Sequence, residues 1–361
     1  MSAPHPRRDD ATQTAFTIHH ALDTIVAGKD LTRPEAESAM EQIFSGNSSD
    51  AQIAGFLAAL RMKGETVDEL VGFASVMRRH ATPIFPPGHR ADEMLVDTCG
   101  TGGDDCGTFN VSTAAAFVVA AAGVRVAKHG NRSISSRCGS ADVLEALGAR
   151  IDLPPESVGR AIDEIGIGFL FAPAIHAATR HATNARRELR VRTVFNLLGP
   201  LTNPAGAAAQ VVGVFDASYT ELLARALGEL GVRRAFVVHG ADGLDEISIS
   251  GDTSVAELRD GSVRTYTLAP EDFGLARSSV SALQGGDAKE NAQIIHKIFG
   301  RALASHEYGP CRDIVLANAA AALVAAGRAP DFLEGVRLAA HAIDTGTARA
   351  KLDAFVAFTT N

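Results

Sequence analysis

Residues 97–148 read DTCGTGGDDCGTFNVSTAAAFVVAAAGVRVAKHGNRSISSRCGSADVLEALG. Three segments with anion-binding chemistry follow one another there. Gly100-Thr101-Gly102-Gly103-Asp104 comes directly after a short apolar strand, Met94 to Val96. Asn110-Val111-Ser112-Thr113 opens a helix rich in alanine and valine. Lys128-His129-Gly130-Asn131-Arg132-Ser133-Ile134-Ser135-Ser136 follows a second strand, Val124 to Ala127. Glycines after a strand let backbone N–H groups turn toward a ligand, and the helix behind offers the positive end of its dipole. Lys128 and Arg132 add full charges. The ligand this chemistry suits is a phosphorylated small molecule.

Each segment also has a plainer reading. Gly100 to Asp104 could be a tight strand–helix turn. Its glycine spacing is not the dinucleotide fingerprint, and no Gly-Lys-Ser/Thr closes it as a P-loop. Asp104 is odd in a pure anion site and suits ligand hydroxyls or a reacting amine better. Asn110 or Ser112 could be a helix cap and no more. Lys128 to Ser136 is harder to dismiss as a solvated loop, with two cations, one imidazole and three hydroxyls in nine positions. Ser140 is expected to cap the next helix, which stops at Gly148. Asp245-Glu246 follows a strand at 234–239. Such a pair is either an exposed acidic turn or a site for Mg2+, a hard ion that shares its shell with substrate phosphates. Arg186 is either a solvated charge or a two-point carboxylate clamp.

Outside this centre the periodicity divides the chain. Residues 1–14 are polar and charged and read as a disordered tail. Four helices with apolar residues at helical spacing follow within 15–88. Thr32-Arg33-Pro34-Glu35 and Thr66-Val67-Asp68-Glu69 have capping-box form, and Ser49 can cap the third helix. From residue 89 strands and helices alternate. Strands are expected at 94–98, 124–128, 167–171, 209–215 and 234–239, with helices at 111–122, 140–147, 155–165 and 218–230. That order predicts an α/β fold with a mostly parallel central sheet flanked by helices, beside a small all-helical domain. Residues 173–190 interrupt the alternation with a polar helical pattern that could rejoin the helical unit. The large domain is then 89–172 with 191–361. A hairpin is expected at 254–268 around Asp260-Gly261, and 288–358 is helical.

Composition narrows the classes further. The 361 residues are 46% hydrophobic and 21% charged, as in ordinary globular proteins. A net charge of −8 argues against non-specific nucleic-acid binding. Four cysteines, Cys99, Cys106, Cys138 and Cys311, have no CxxC spacing and read as reduced thiols. No signal peptide is evident, and no run reaches the about 18 apolar residues of a membrane span. The expectation is a cytoplasmic protein with no membrane or nucleic-acid partner.

Taken together, GTGGD at 100–104, NVST at 110–113, KHGNRSISS at 128–136, GSADVLEALG at 139–148, NLLGPLTNPA at 196–205 and GLDE at 243–246 resemble the anthranilate phosphoribosyltransferase family over nearly the whole chain. The resemblance implies a fold shared with pyrimidine nucleoside phosphorylases and a homodimer formed through the helical domains. It implies transfer of the phosphoribosyl group of 5-phosphoribosyl 1-diphosphate to the amine of anthranilate, in tryptophan biosynthesis. Gly100, Gly103, Asp104, Thr108, Asn110 to Thr113, Lys128 to Ser136 and Ser140 would line the diphosphate sugar. Ser112, Asp245 and Glu246 would hold Mg2+. Gly100, Asn131 and Arg186 would contact anthranilate, with His129, His176 and Pro200 as its wall. Lys128, Asp104 and Arg186 are the catalytic candidates. The sequence departs from the family where Ala177-Ala178-Thr179 follows His176, and at Cys106 and Cys138. Two rivals are a pyrimidine nucleoside phosphorylase on the same fold and a non-enzymatic nucleic-acid-binding relative. The paired carboxylates disfavour the first and the net charge the second.

Overall fold

A computed structural model describes residues 16–89, 94–103, 106–133, 137–300 and 309–361. The expected tail at 1–14 lies outside these residues, as do Asp104, Ile134, Ser135 and Ser136.

The chain opens with α1 (Ile18–Val26), α2 (Arg33–Phe44), α3 (Asp50–Lys63) and α4 (Val67–His80). Their starts follow from local chemistry. Thr66 Oγ1 accepts the Glu69 N–H at 3.3 Å while Glu69 Oε2 accepts the Thr66 N–H at 2.8 Å. Two orphan donors are thereby satisfied reciprocally. Thr32 N–H donates to Glu35 Oε2 at 2.8 Å, and Ser49 Oγ accepts from Gln52 N–H at 3.3 Å.

The alternating region forms β1 (Val96–Gly100), α5 (Val111–Ala121), β2 (Val126–Gly130), α6 (Ser140–Ala146), α7 (Pro155–Ile165) and β3 (Ile167–Phe171). Next come α8 (Ala172–Ile175), a 3-10 turn at Ala177–Thr179, α9 (Arg180–Leu189) and α10 (Val194–Leu201). Then follow β4 (Ala209–Gly213), α11 (Tyr219–Glu229), β5 (Arg234–Gly240), β6 (Thr253–Arg259) and β7 (Ser262–Leu268). The strands make one sheet in the order β3-β2-β1-β4-β5-β6-β7. The first five are parallel, and β6 and β7 join antiparallel. The β6–β7 turn places Asp260 and Gly261 at φ 49° and 79°, the left-handed pair a two-residue hairpin turn needs. The chain ends in α12 (Ala288–Ile298), α13 (Gly309–Ala325), α14 (Phe332–Asp344) and α15 (Thr347–Thr360).

The sheet separates two cores. On one face Phe117 of α5 and Ile314 and Val315 of α13 pack with Val96, Val126 and Phe236. On the other, Val212, Val237 and Ala256 share a core with Ile53 and Phe56 of α3, Phe73 of α4 and Ala182 and Ala185 of α9. The helical unit thus lies directly against one sheet face. Strands β1 and β2 start and end two residues later than their apolar runs indicate. Hydropathy marks Leu95 and Val124, which pack just before the strands. It stops at Lys128 and His129, which lie inside β2 and are buried.

Candidate active site

Four neighbouring parallel strands end in glycine at one edge of the sheet: Gly130, Gly100, Gly213 and Gly240. The bare backbone admits the loop after β5. A Cβ on Gly100 would stand 2.7 Å from Asp245 Oδ2, and one on Gly213 would overlap the Asp245 carbonyl. This is the carboxyl edge of an open parallel sheet, where ligands of such folds bind.

Asp245 Oδ2 accepts the Gly102 N–H at 3.0 Å, and Glu246 Oε1 accepts the Ser112 N–H at 3.1 Å. Lys128 Nζ lies 3.3 Å from Ser112 Oγ and 2.5 Å from the Thr98 carbonyl. Gly102, Asp245, Glu246, Ser112 and Lys128 are therefore linked by a continuous run of contacts. The glycine loop, the first turn of α5, the end of β2 and the acidic loop meet at one place. Lys128 is 3% exposed. Burial lowers its pKa, against the opposing pull of Asp97, Cys99, Glu246 and Asp245. Two carboxylates and a hydroxyl form an all-oxygen donor set. Among the described residues no group of three His, Cys, Asp or Glu gathers as a closed metal cage. Two carboxylates with room for substrate oxygens is the usual habit of Mg2+, so these residues fit that ion.

Beyond Lys128, a network absent from the sequence reading fixes the end of β2. Asp97, fully buried, accepts the His129 N–H at 3.0 Å and Asn203 Nδ2–H at 2.8 Å. Asn203 also donates to the Ala127 carbonyl at 2.9 Å. The Asn131 N–H donates to Ser140 Oγ at 3.2 Å. Asp142 accepts the N–H groups of Ser133 and Gly139 at 3.0 and 2.8 Å. Gly139 is the N-cap of α6, with Asp142 doing the capping, so the expectation that Ser140 caps this helix is corrected. A carboxylate at the third helical position reaches back better than a hydroxyl already in the first turn. Arg132 turns onto α6, where Asp142 and Glu145 hold it at 3.1 and 2.6 Å. Asn110 makes no cap bond to α5. It donates to the Cys138 carbonyl at 3.2 Å and accepts from Asn291 at 3.0 Å. Val111 and Thr113 are buried, and Thr108 bridges to Gln284.

A second wall faces α9 and α10. The Arg186 guanidinium lies 4.9 Å over the Phe195 ring, and burial lowers its pKa with no charged partner contributing. His129 and His176 are 6% and 3% exposed, with ring centroids 5.2 Å apart. Burial is the main reason both imidazoles titrate low, His176 at about 3. Pro200 is buried in α10 and its carbonyl accepts from Gln210 at 3.0 Å. Arg192 was not singled out by sequence. Its guanidinium donates to the Gly103 carbonyl at 2.5 Å and covers the Phe215 ring at 4.6 Å. No local signal separates it from the other arginines of 186–192.

This architecture matches two family models: the helical bundle domain of the glycosyl transferase family over residues 19–81, and its a/b domain over 92–349. Fold and site together define a glycosyl transferase of this two-part type. The anthranilate phosphoribosyltransferase of Moorella thermoacetica is 56% identical over 337 residues, 93% of this chain and 97% of its own. The crystal structure of the Thermus thermophilus enzyme superposes with a TM-score of 0.87 at 45% identity, covering 94% of this chain and 99% of that one. The Saccharomyces cerevisiae enzyme, solved with PRPP and Mg, gives 0.85 at 26% identity over 95% and 98% of the two chains. The chain belongs to the anthranilate phosphoribosyltransferase family. The phosphorylase rival is not favoured by these relatives.

Proposed function

We propose that the chain transfers the phosphoribosyl group of 5-phosphoribosyl 1-diphosphate to the amine of anthranilate, giving N-(5-phosphoribosyl)anthranilate and diphosphate. The observation that carries this is the run of contacts from Gly102 through Asp245, Glu246 and Ser112 to Lys128. It gathers backbone N–H donors, a buried ammonium and two carboxylates at one sheet edge. The yeast relative's complexes with PRPP and Mg and with 4-fluoroanthranilate point the same way.

Gly100, Gly103, Thr108, the turn from Asn110 to Thr113 and the segment from Lys128 to Ser136 would cradle the sugar phosphate and diphosphate, with Ser140 supporting Asn131. Asp104 would accept hydrogen bonds from the ribose or the amine. Anthranilate's amine is a weak nucleophile, so C1 must gain cationic character as diphosphate departs. Lys128 and the α5 N-terminus would stabilise the departing charge. Asp245, Glu246 and Ser112 would hold Mg2+, which supplies further charge neutralisation on the diphosphate. Arg186, which no carboxylate among the described residues holds, would bind the anthranilate carboxylate together with Asn131. Gly100, His129, His176 and Pro200 would shape the space around the ring. This reading also takes residues 15–88 with 173–190 as a helical domain that pairs two copies into a homodimer in the cytoplasm.

Incubation with Mg2+, 5-phosphoribosyl 1-diphosphate and anthranilate should consume anthranilate fluorescence. Replacing Arg186 by Ala should raise the anthranilate KM at least about 10-fold, as expected when a charge-assisted contact is lost. An unchanged KM would remove Arg186 from the acceptor site. Asp245→Asn with Glu246→Gln should abolish Mg2+-dependent turnover, and retained turnover would rule out the metal assignment.

A further inference from the structure

The imidazole pair at the acceptor wall has more capacity than shaping space. His129 Nε2 and both ring nitrogens of His176 are buried without a hydrogen-bond partner among the described residues. Three such atoms within two rings 5.2 Å apart are costly to bury unless a polar guest meets them. The tautomer of His129 is fixed from behind. Its Nδ1 lies 3.1 Å from the Gly199 carbonyl, which can only accept, so Nδ1 carries the hydrogen and Nε2 presents a lone pair. Asp97 anchors the same residue through its N–H at 3.0 Å and supplies a negative charge beside it. Lys128 opposes with a positive one.

We propose that His129 Nε2 is the atom that accepts the proton shed by the attacking amine, with the His176 ring packed against it as a positioning partner. This rests on the transferase reading above. The nitrogen lone pair of the amine forms the bond to C1, and the C1–O bond breaks with its pair leaving on diphosphate. The proton of the resulting anilinium-type nitrogen passes to His129 Nε2, and the N–H pair stays on nitrogen. His129 then holds hydrogens on both ring atoms, one of them donated to the Gly199 carbonyl. Solvent takes the proton when the products leave. A weak buried base suffices, because a nitrogen bonded to both an aryl ring and a ribosyl carbon is a strong acid once it carries positive charge. A strong base is not needed where driving force is already large.

The test uses the full chain and single-turnover rates. His129→Asn keeps an N–H for the Gly199 carbonyl and removes the proton acceptor. At saturating anthranilate it should lower the single-turnover rate about 100-fold, with the melting temperature near wild type. His176→Phe, which keeps an aromatic filler, should lower the rate less. Added imidazole should restore part of the rate to His129→Ala. Nitrogen NMR of labelled histidine should find His129 protonated at Nδ1. Wild-type turnover with an unchanged His129→Asn rate, or a hydrogen on Nε2 in the resting protein, would overturn the proposal. No turnover by wild type would instead sink the transferase reading.

Discussion

Arg190 ends α9 in the left-handed region, at φ 51°. Its N–H still bonds the Arg186 carbonyl at 3.2 Å, so the conformation is the usual helix stop made with an unusual residue. A side chain there costs about 1–2 kcal/mol, while glycine loses more freedom on folding. Arg190→Gly should therefore stabilise the protein by about 0.5–1 kcal/mol net, read as a higher urea midpoint at unchanged slope. A lower midpoint would show that the arginine makes a compensating contact. His176 has the opposite character. Its ring is held neutral by burial, with a pKa of about 3 against an ordinary 6.5. The folded state binds fewer protons than the unfolded one, so this contribution is complete above about pH 6.5 and is lost as pH falls toward 3. Between pH 7 and 5 the stability gap between wild type and His176→Leu should shift by about 2 kcal/mol against the wild type. Parallel pH curves would mean the ring charges at no cost. The sequence displayed most of the residues that meet at the sheet edge, because glycines, hydroxyls and cations in one run are a local pattern. It did not display Asp97, Asn203 or Arg192, whose roles depend on hydrogen bonds across 32 to 106 positions of chain.

At the scale of elements, the helix starts and both ends of β3 were legible, and the limits of β1 and β2 were not. Capping chemistry acts over three residues, so Thr66 and Glu69 could be paired by eye. Strand limits depend on neighbours that hydropathy does not see, which is why β2 runs on through a lysine and a histidine. Glu69 shows how much a cap can be asked to do. It is fully buried, and besides its own helix start it accepts from Leu31 N–H and Lys63 Nζ, both at 3.0 Å. It therefore fixes the α1–α2 connection and the end of α3 as well as the start of α4. Glu69→Ala would leave Lys63, 7% exposed, with Asp30 and the Gly64 carbonyl as its partners, both at 2.7 Å, and would orphan the Leu31 and Thr66 N–H groups, at a cost of about 1–3 kcal/mol for a buried unsatisfied donor. The urea midpoint should fall accordingly. The double change Glu69→Met with Lys63→Met removes both buried charges and leaves only the exposed Asp30 without its partner, so it should recover part of the loss. If the double variant were no better than the single, the backbone N–H bonds rather than the ion pair would be what Glu69 supplies.

At the scale of the whole molecule, the alternation of strands and helices announced a parallel sheet, and the opening helices announced a separate layer. How the two are fastened could not be read, since the fastening is a shared apolar face and side chains that reach across it, among them Arg33 to Glu229, Arg61 to Tyr219 and Arg78. Arg78, in α4, donates from Nε to the Leu201 carbonyl at 2.7 Å and from Nη1 to the Leu230 carbonyl at 2.8 Å. Those carbonyls close α10 and α11, so a cation sits at two helix carboxyl ends, where the dipoles favour it. Burial lowers the guanidinium pKa to about 10, which leaves it charged at neutral pH. Arg78→Met keeps the apolar packing but orphans both carbonyls, at a cost of about 2–4 kcal/mol. Because the shared core remains, the chain should still fold, yet its two layers should part company on unfolding. Amide exchange should then release α1 through α4 well before β1 through β5, whereas in wild type the two sets should exchange together. Arg78→Lys, which can serve one carbonyl at a time, should fall between. Equal acceleration of both sets in Arg78→Met would mean that the apolar face alone couples the layers, and that the arginine contributes only stability.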